Sequence, residues 1–211
     1  MAADALVRAG LIMLGVWIAV SPAAAGERRS PWSIRIGASL SKLEGAIGSV
    51  YPEASPGGML GVSYRAGADT WRLRTGLDVA SRSGHGEVPL SPVIFGISSI
   101  EENWRTTWVE APLVLEGVLG RRTVRPFLGA GLVGAWRIAE DLSDHGDEVS
   151  PMKAHGVDAS ATATAGLERR GEHGTLRLEL GFAHGLGDLY DSADGPAGSW
   201  RAWTLVLDAG L

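Results

Sequence analysis

The sequence contains no cysteine. That excludes a thiol nucleophile and a Cys-ligated metal, and it fits a protein that needs no disulfide. Lysine is nearly missing, with only Lys42 and Lys153 in 211 residues. The net charge is −5. Phosphate binding along a nucleic acid needs a basic patch, so no nucleic-acid partner is expected. After residue 25 there is no run of 18 apolar residues, and a transmembrane helix needs about that many. Glycine and tryptophan, by contrast, are abundant at 30 and 8 residues, an unusual balance for a soluble enzyme.

The first 25 residues set the expected compartment. Arg8 lies in a short leading region, and Leu11 to Val20 is an apolar run. At about ten residues such a run is too short to span a bilayer but suits a signal-peptide core. Pro22 and the small residues Ala23, Ala24 and Ala25 follow as an A-x-A cleavage site, so residues 1–25 read as a cleaved signal peptide and Gly26 as the first mature residue. An uncleaved anchor helix is the alternative. Residues 26–211 then form one exported domain: periplasmic, secreted or an outer-membrane barrel.

The mature chain alternates with a period of two, the mark of strands with two environments. Trp104 to Ile138 is the central stretch. Val109, Ala111, Leu113 and Leu115 share one face, with Trp108, Glu110, Pro112 and Val114 on the other. After a turn at Gly120 to Thr123, Leu128, Ala130, Leu132, Trp136 and Ile138 share a face. The remaining segments run from Trp32 to Leu40, Leu60 to Ala66, Thr70 to Ser81, Val157 to Glu168, Thr175 to Ala183, and Trp203 to Leu211. Long connections fall at 41–56, 82–102, 140–153 and 186–199, and short ones between them. Within 82–102 the apolar Val93 to Ile97 reads as a strand extension above the membrane. Eight antiparallel strands with short turns at one end and longer loops at the other predict an all-β, eight-stranded antiparallel up-and-down transmembrane β-barrel of the outer-membrane type.

The second face carries the charge. Arg35, Arg65, Arg72, Arg74, Arg105, Arg137 and Arg177 lie on it with Asp78, Glu110, Asp158, Glu179 and Asp208. In a membrane barrel this face points inward. An eight-stranded barrel is just wide enough for side chains to fill it, and unpaired charges there would cost several kcal/mol each. Arg72, Arg74, Asp78, Glu110, Arg177 and Glu179 are therefore expected as a lumen ion-pair cluster. Trp32, Trp71, Trp104, Trp136 and Trp203 fall near strand ends and are expected as interface aromatics.

The central stretch also carries a family resemblance. Trp108 to Leu115, reading WVEAPLVL, resembles the Y-x-E-x-P-L-x-L strand of PorT-like and OmpA-like outer-membrane β-barrel domains. Arg125 to Gly131 is similar to the x-P-Y-L-G-A-G strand that follows it there. Trp108 and Phe127 replace the usual tyrosines. The chain ends in Leu211 where many such barrels end in Phe, with Leu207, Leu205 and Trp203 alternating behind it as an assembly signal. An exported barrel of this kind is expected in the bacterial outer membrane, with outer-membrane lipid and the barrel assembly machinery as partners, and the resemblance implies envelope or secretion proteins as contacts of the outer loops.

Function is less legible. A structural or surface-interaction barrel with a plugged lumen is expected, non-enzymatic and without cofactor or metal. A small porin-like channel, a lipid-modifying enzyme and a soluble lipocalin-like carrier are the alternatives. The histidines His85, His145, His155, His173 and His184 form no signature motif, though His184 could activate Ser192 or Ser199 at the outer rim. Glu140, Asp141, Asp144, Asp147 and Glu148 cluster in one loop without EF-hand spacing, so a solvated acidic loop is expected.

Overall fold

The computed structural model describes residues 30–45, 48, 53–89, 99–120, 122–143, 156–171, 174–187 and 198–210. The signal-peptide assignment, Val93 to Ile97 and the terminal Leu211 lie outside them. Eight strands follow in chain order: β1 (Trp32–Gly45), β2 (Glu53–Gly67), β3 (Trp71–Pro89), β4 (Ser99–Val118), β5 (Val124–Ser143), β6 (Val157–Gly171), β7 (Gly174–Gly185) and β8 (Gly198–Gly210). Each pairs antiparallel with its chain neighbours, and β1 pairs with β8, which closes the barrel. No helix among the described residues is long and apolar enough to cross a membrane.

Register fixes the barrel's shape. From Arg35 one path of partners runs Gly61, Asp78, Glu110 and Ala135 on β5. The opposite path runs Asp208, Arg177, Glu168 and Arg125 on β5. The two ends differ by 135 − 125 = 10 residues, the stagger on going once round. With about 3.3 Å per residue and about 4.8 Å between strands, that stagger tilts the strands by about 40°.

The polarity is inverted relative to a soluble barrel. Ile34, Leu60, Leu77, Leu115, Leu128, Leu132 and Leu180 are exposed on the outside, while Arg74, Arg177, Glu116 and Glu168 are buried inside. On β1 the outer face stays apolar from Trp32 through Leu40 and turns polar at Lys42. Ten residues at that tilt rise about 25 Å, the height of the apolar band of membrane barrels.

The strands are longer than their sequence pattern indicates. β3, β4 and β5 have 19, 20 and 20 residues against 12 and 13 for β7 and β8. Much of the expected loop 82–102 is paired, from Arg82↔Thr106 to Pro89↔Ser99. Above the apolar band the outside meets water, so polar residues face out and apolar ones turn in. Lys42 and Glu44 face out there and Leu43 is fully buried. The alternation reverses phase at that height, and a segment read for one phase stops short.

Candidate functional site: a charged lumen beneath a tryptophan bar

Among the described residues, eight arginines and eight carboxylates make the ion pairs of the lumen and its mouth, and they divide into two groups. The lower group is continuous. Arg35 bonds Asp78, reaches Glu179 at 3.1 Å and lies 3.7 Å from Asp208. Arg65 pairs with Asp208 and approaches Glu116 at 3.6 Å. Arg74 donates to Glu116 at 2.8 Å and to Glu179 at 3.2 Å. Arg177 meets Glu116 at 2.9 Å and Glu168 at 3.9 Å. Glu168 gathers Arg72 at 2.7 Å, Arg125, and Arg170 at 3.0 Å. Arg170 ends the chain of pairs on Asp69, in the β2–β3 turn, at 2.8 Å.

Local packing holds this group in place. The Arg177 guanidinium lies 3.8 Å from the Phe127 ring centroid, and the ring lies against Gly166, where a Cβ would come within 2.7 Å of it. The second group sits higher. Arg82 donates to Glu110 at 2.6 Å and Asp158 at 3.0 Å and lies 5.1 Å from the Trp108 ring.

Beside the upper group is a chamber of about 50 Å³, lined among others by Ser39, Met59, Arg82, Glu110, Ser160 and Trp200. A water needs about 10–15 Å³ on this measure, so the chamber holds a few. The Ser160 hydroxyl and the Trp200 indole N–H are buried without a protein partner. Trp104 on β4 and Trp200 on β8 come from opposite strands of the ring of eight and stack at 5.4 Å. Their indoles therefore bar the lumen above the chamber, and the Trp104 Nε1–H donates to Glu140 at 2.8 Å.

The six residues expected as a lumen cluster lie inside. Arg74, Asp78, Arg177 and Glu179 are buried, and Arg72 and Glu110 nearly so. Glu110 belongs to the upper group, apart from the other five. Arg105 is a correction. It faces outward on β4, because Trp104 and Thr106 take the inward phase. Arg137 sits near the rim and pairs with Glu140 at 2.6 Å. The sequence reading missed Arg82, Arg125, Glu116 and Glu168. All four lie in phase with the inward face, but at or beyond the ends assigned to their strands.

Among the aromatics, Trp32, Trp71, Trp136 and Trp203 are exposed on the outer wall. Trp32 also packs on Tyr64 at 5.0 Å. Trp104 does not belong with them: it is 3 % exposed and inside the barrel. It lies above the apolar band, where apolar side chains turn inward. His184 is on the outer wall with Nδ1 3.7 Å from Glu44. His145, His155, His173, Ser192 and most of the acidic loop lie outside the described residues. Among the described residues no group of three or more His, Asp or Glu could hold a metal.

An apolar exterior around a charged interior, in a closed up-and-down sheet, defines an eight-stranded barrel of the outer-membrane type. Solved structures of similar fold include Neisserial surface protein A, with 10 % identity over 88 % of this chain and 100 % of that one, TM-score 0.45. The outer membrane enzyme PagL gives 13 %, 82 % of this chain, 97 % of that one and 0.43. The N-terminal β-barrel domain of Pseudomonas aeruginosa OprF gives 16 %, 87 %, 100 % and 0.36. No family model and no curated protein sequence matches the chain.

Proposed function

We propose that this chain is an integral outer-membrane barrel that does no chemistry and conducts no ions, and that presents its long-loop end for contacts at the cell surface. The observation that carries the reading is the lumen. Among the described residues eight arginines are matched by eight carboxylates, and the lower group runs unbroken from Asp78 to the mouth at Asp69. A soluble carrier keeps an apolar cavity and a polar exterior, the reverse of this arrangement. A pore needs a water path, and the interlocked pairs of Arg35, Arg74, Glu116 and Arg177 occupy the section where it would run.

The contact role is supported by the uneven rim. From the edge of the apolar band near Thr107, β4 continues to Ser99, a rise of about 20 Å at the barrel's tilt. β3 and β5 pair with it there and make a raised wall. Outer-membrane lipid and the barrel assembly machinery are the partners such a barrel needs, and envelope or secretion proteins are candidates for the raised wall.

Fractionation tests the membrane assignment. The protein should partition with outer membranes, require detergent for release and migrate faster on a denaturing gel unheated than heated. Recovery in buffer without detergent would end the reading. Planar-bilayer recording tests the plug, and a stable single-channel conductance would replace it with a pore.

A further inference from the structure

The outer wall of β7, β8 and β1 is ordered in rows by strand register. Leu180, Leu205 and Ala38 form one row, and Phe182, Trp203 and Leu40 the next. His184, Arg201 and Lys42 form the third. Each step of two residues thus carries the wall from aliphatic to aromatic to basic. The Phe182 and Trp203 rings lie 4.5 Å apart, and the Arg201 guanidinium sits 5.8 Å from the Phe182 centroid.

Side chains on register partners stand about 5 Å apart, and like charges so placed repel. Among the described residues a single carboxylate reaches this row, and it meets two of the three basic groups. Glu44 binds Arg201 at 2.8 Å and lies 3.7 Å from His184. Lys42 is exposed, with no carboxylate partner among the described residues. Lys42 and Arg201 against Glu44 leave one net positive charge with His184 neutral, and two with it protonated. Among the described residues Arg105 also faces outward near the upper end of the barrel, but it stands apart on β4, the strand opposite β8. The wall is also low here, since β7 and β8 are the two shortest strands.

We propose that Lys42, Arg201 and His184 bind the phosphate of an anionic lipid headgroup, with its acyl chains lying along Leu180 and Leu205. The inference rests on the membrane-spanning reading. A free phosphate would meet the cations but gain nothing from the aromatic and aliphatic rows directly beneath them. An amphiphile uses all three rows at once.

The test uses the full chain refolded in zwitterionic detergent micelles, checked first for heat-modifiable migration. Failure to refold in this way counts against the barrel reading, not against this site. Phosphatidic acid, phosphatidylcholine and inorganic phosphate are then titrated, with retained lipid read by native mass spectrometry. Phosphatidic acid should be retained, phosphatidylcholine weakly, and inorganic phosphate should not compete at equal concentration. Lys42→Gln combined with Arg201→Gln should weaken phosphatidic acid binding about tenfold or more, since each cation near an anionic surface contributes a substantial attraction. Arg201→Lys should restore most of it, and Arg105→Gln should leave it unchanged. Equal retention by the double variant, equal loss in Arg105→Gln, or full competition by inorganic phosphate would overturn the site.

Discussion

At the residue scale, Arg35 holds the greatest leverage. It faces Asp78, Glu179 and Asp208, and it is the ion-pair partner of Asp78. Glu179 has a second cation in Arg74 and Asp208 one in Arg65. Arg35→Met therefore strips Asp78 above all, and breaking a buried pair this way costs about 3–5 kcal/mol. Adding Asp78→Leu should recover most of that loss. Urea unfolding midpoints of the protein refolded in vesicles check both, and equal stability of Arg35→Met and the native chain would show that Asp78 does not need the pair. Trp104 gives a different kind of prediction. The chain has no cysteine, so Ser160→Cys places one thiol in the chamber under the tryptophan bar. Its labelling by a small aqueous maleimide should be slow, and several-fold faster once Trp104→Ala opens the bar. An unchanged rate would mean the stacked indoles do not close the lumen. Both sites mark how far the sequence can be read. Arg74, Asp78 and Arg177 announce themselves because they alternate with leucines. Trp104 misleads because a tryptophan near a strand end looks the same whether it faces lipid or lumen.

Elements were legible where lipid imposes the pattern. Between the two edges of the apolar band each strand shows one clean phase, and all eight strands and their order follow from it. Beyond the upper edge the phase reverses, which hides the upper halves of β3, β4 and β5 along with Arg82. The β5 strand adds an irregularity. Thr107 pairs with Ala139 and Trp108 with Arg137, so Ile138 is left over and the count slips there. At the opposite end the short turns are tied to one another. Asp69, between β2 and β3, accepts a 2.8 Å hydrogen bond from Arg170 near the end of β6. That bond and the charge of Arg170 hold the Asp69 carboxyl below its ordinary value. A lowered folded-state pKa contributes stability above the unfolded value of about 3.9 and loses it as pH falls through the folded one. Asp69→Asn should therefore be slightly less stable than the native chain at neutral pH. The Asp69 side chain is 77 % exposed, so the difference should stay below about 1 kcal/mol. It should vanish in strong acid, as urea midpoints at the two pH values would show. A difference that persists in acid would assign the effect to turn geometry instead of charge.

For the whole molecule, the deciding property is which solvent surrounds the apolar band. Periodicity alone gives two faces and leaves open which is outside. Closure, register and burial assign the apolar one, and water and hydrocarbon then predict opposite responses to the same substitution. Leu180 stands on the outer face of β7, half exposed, between Leu178 and Phe182. Its register partners Ala165 and Leu205 are apolar as well. If the band met water, Leu180→Arg would replace an exposed apolar group with a solvated charge, and surface changes of that kind are usually within about 0.5 kcal/mol. In a bilayer the guanidinium must enter hydrocarbon, which costs about 2–4 kcal/mol near the midplane of a membrane barrel. His184→Arg, two register steps nearer the outer edge, should cost little in either medium because it lies at the polar edge of the band with Glu44 3.7 Å away to offset the charge. Unfolding midpoints of the two variants in lipid vesicles therefore test the molecule's surroundings with an internal control. A large loss for Leu180→Arg with none for His184→Arg places the band in lipid, and equal small effects at both positions would place it in water.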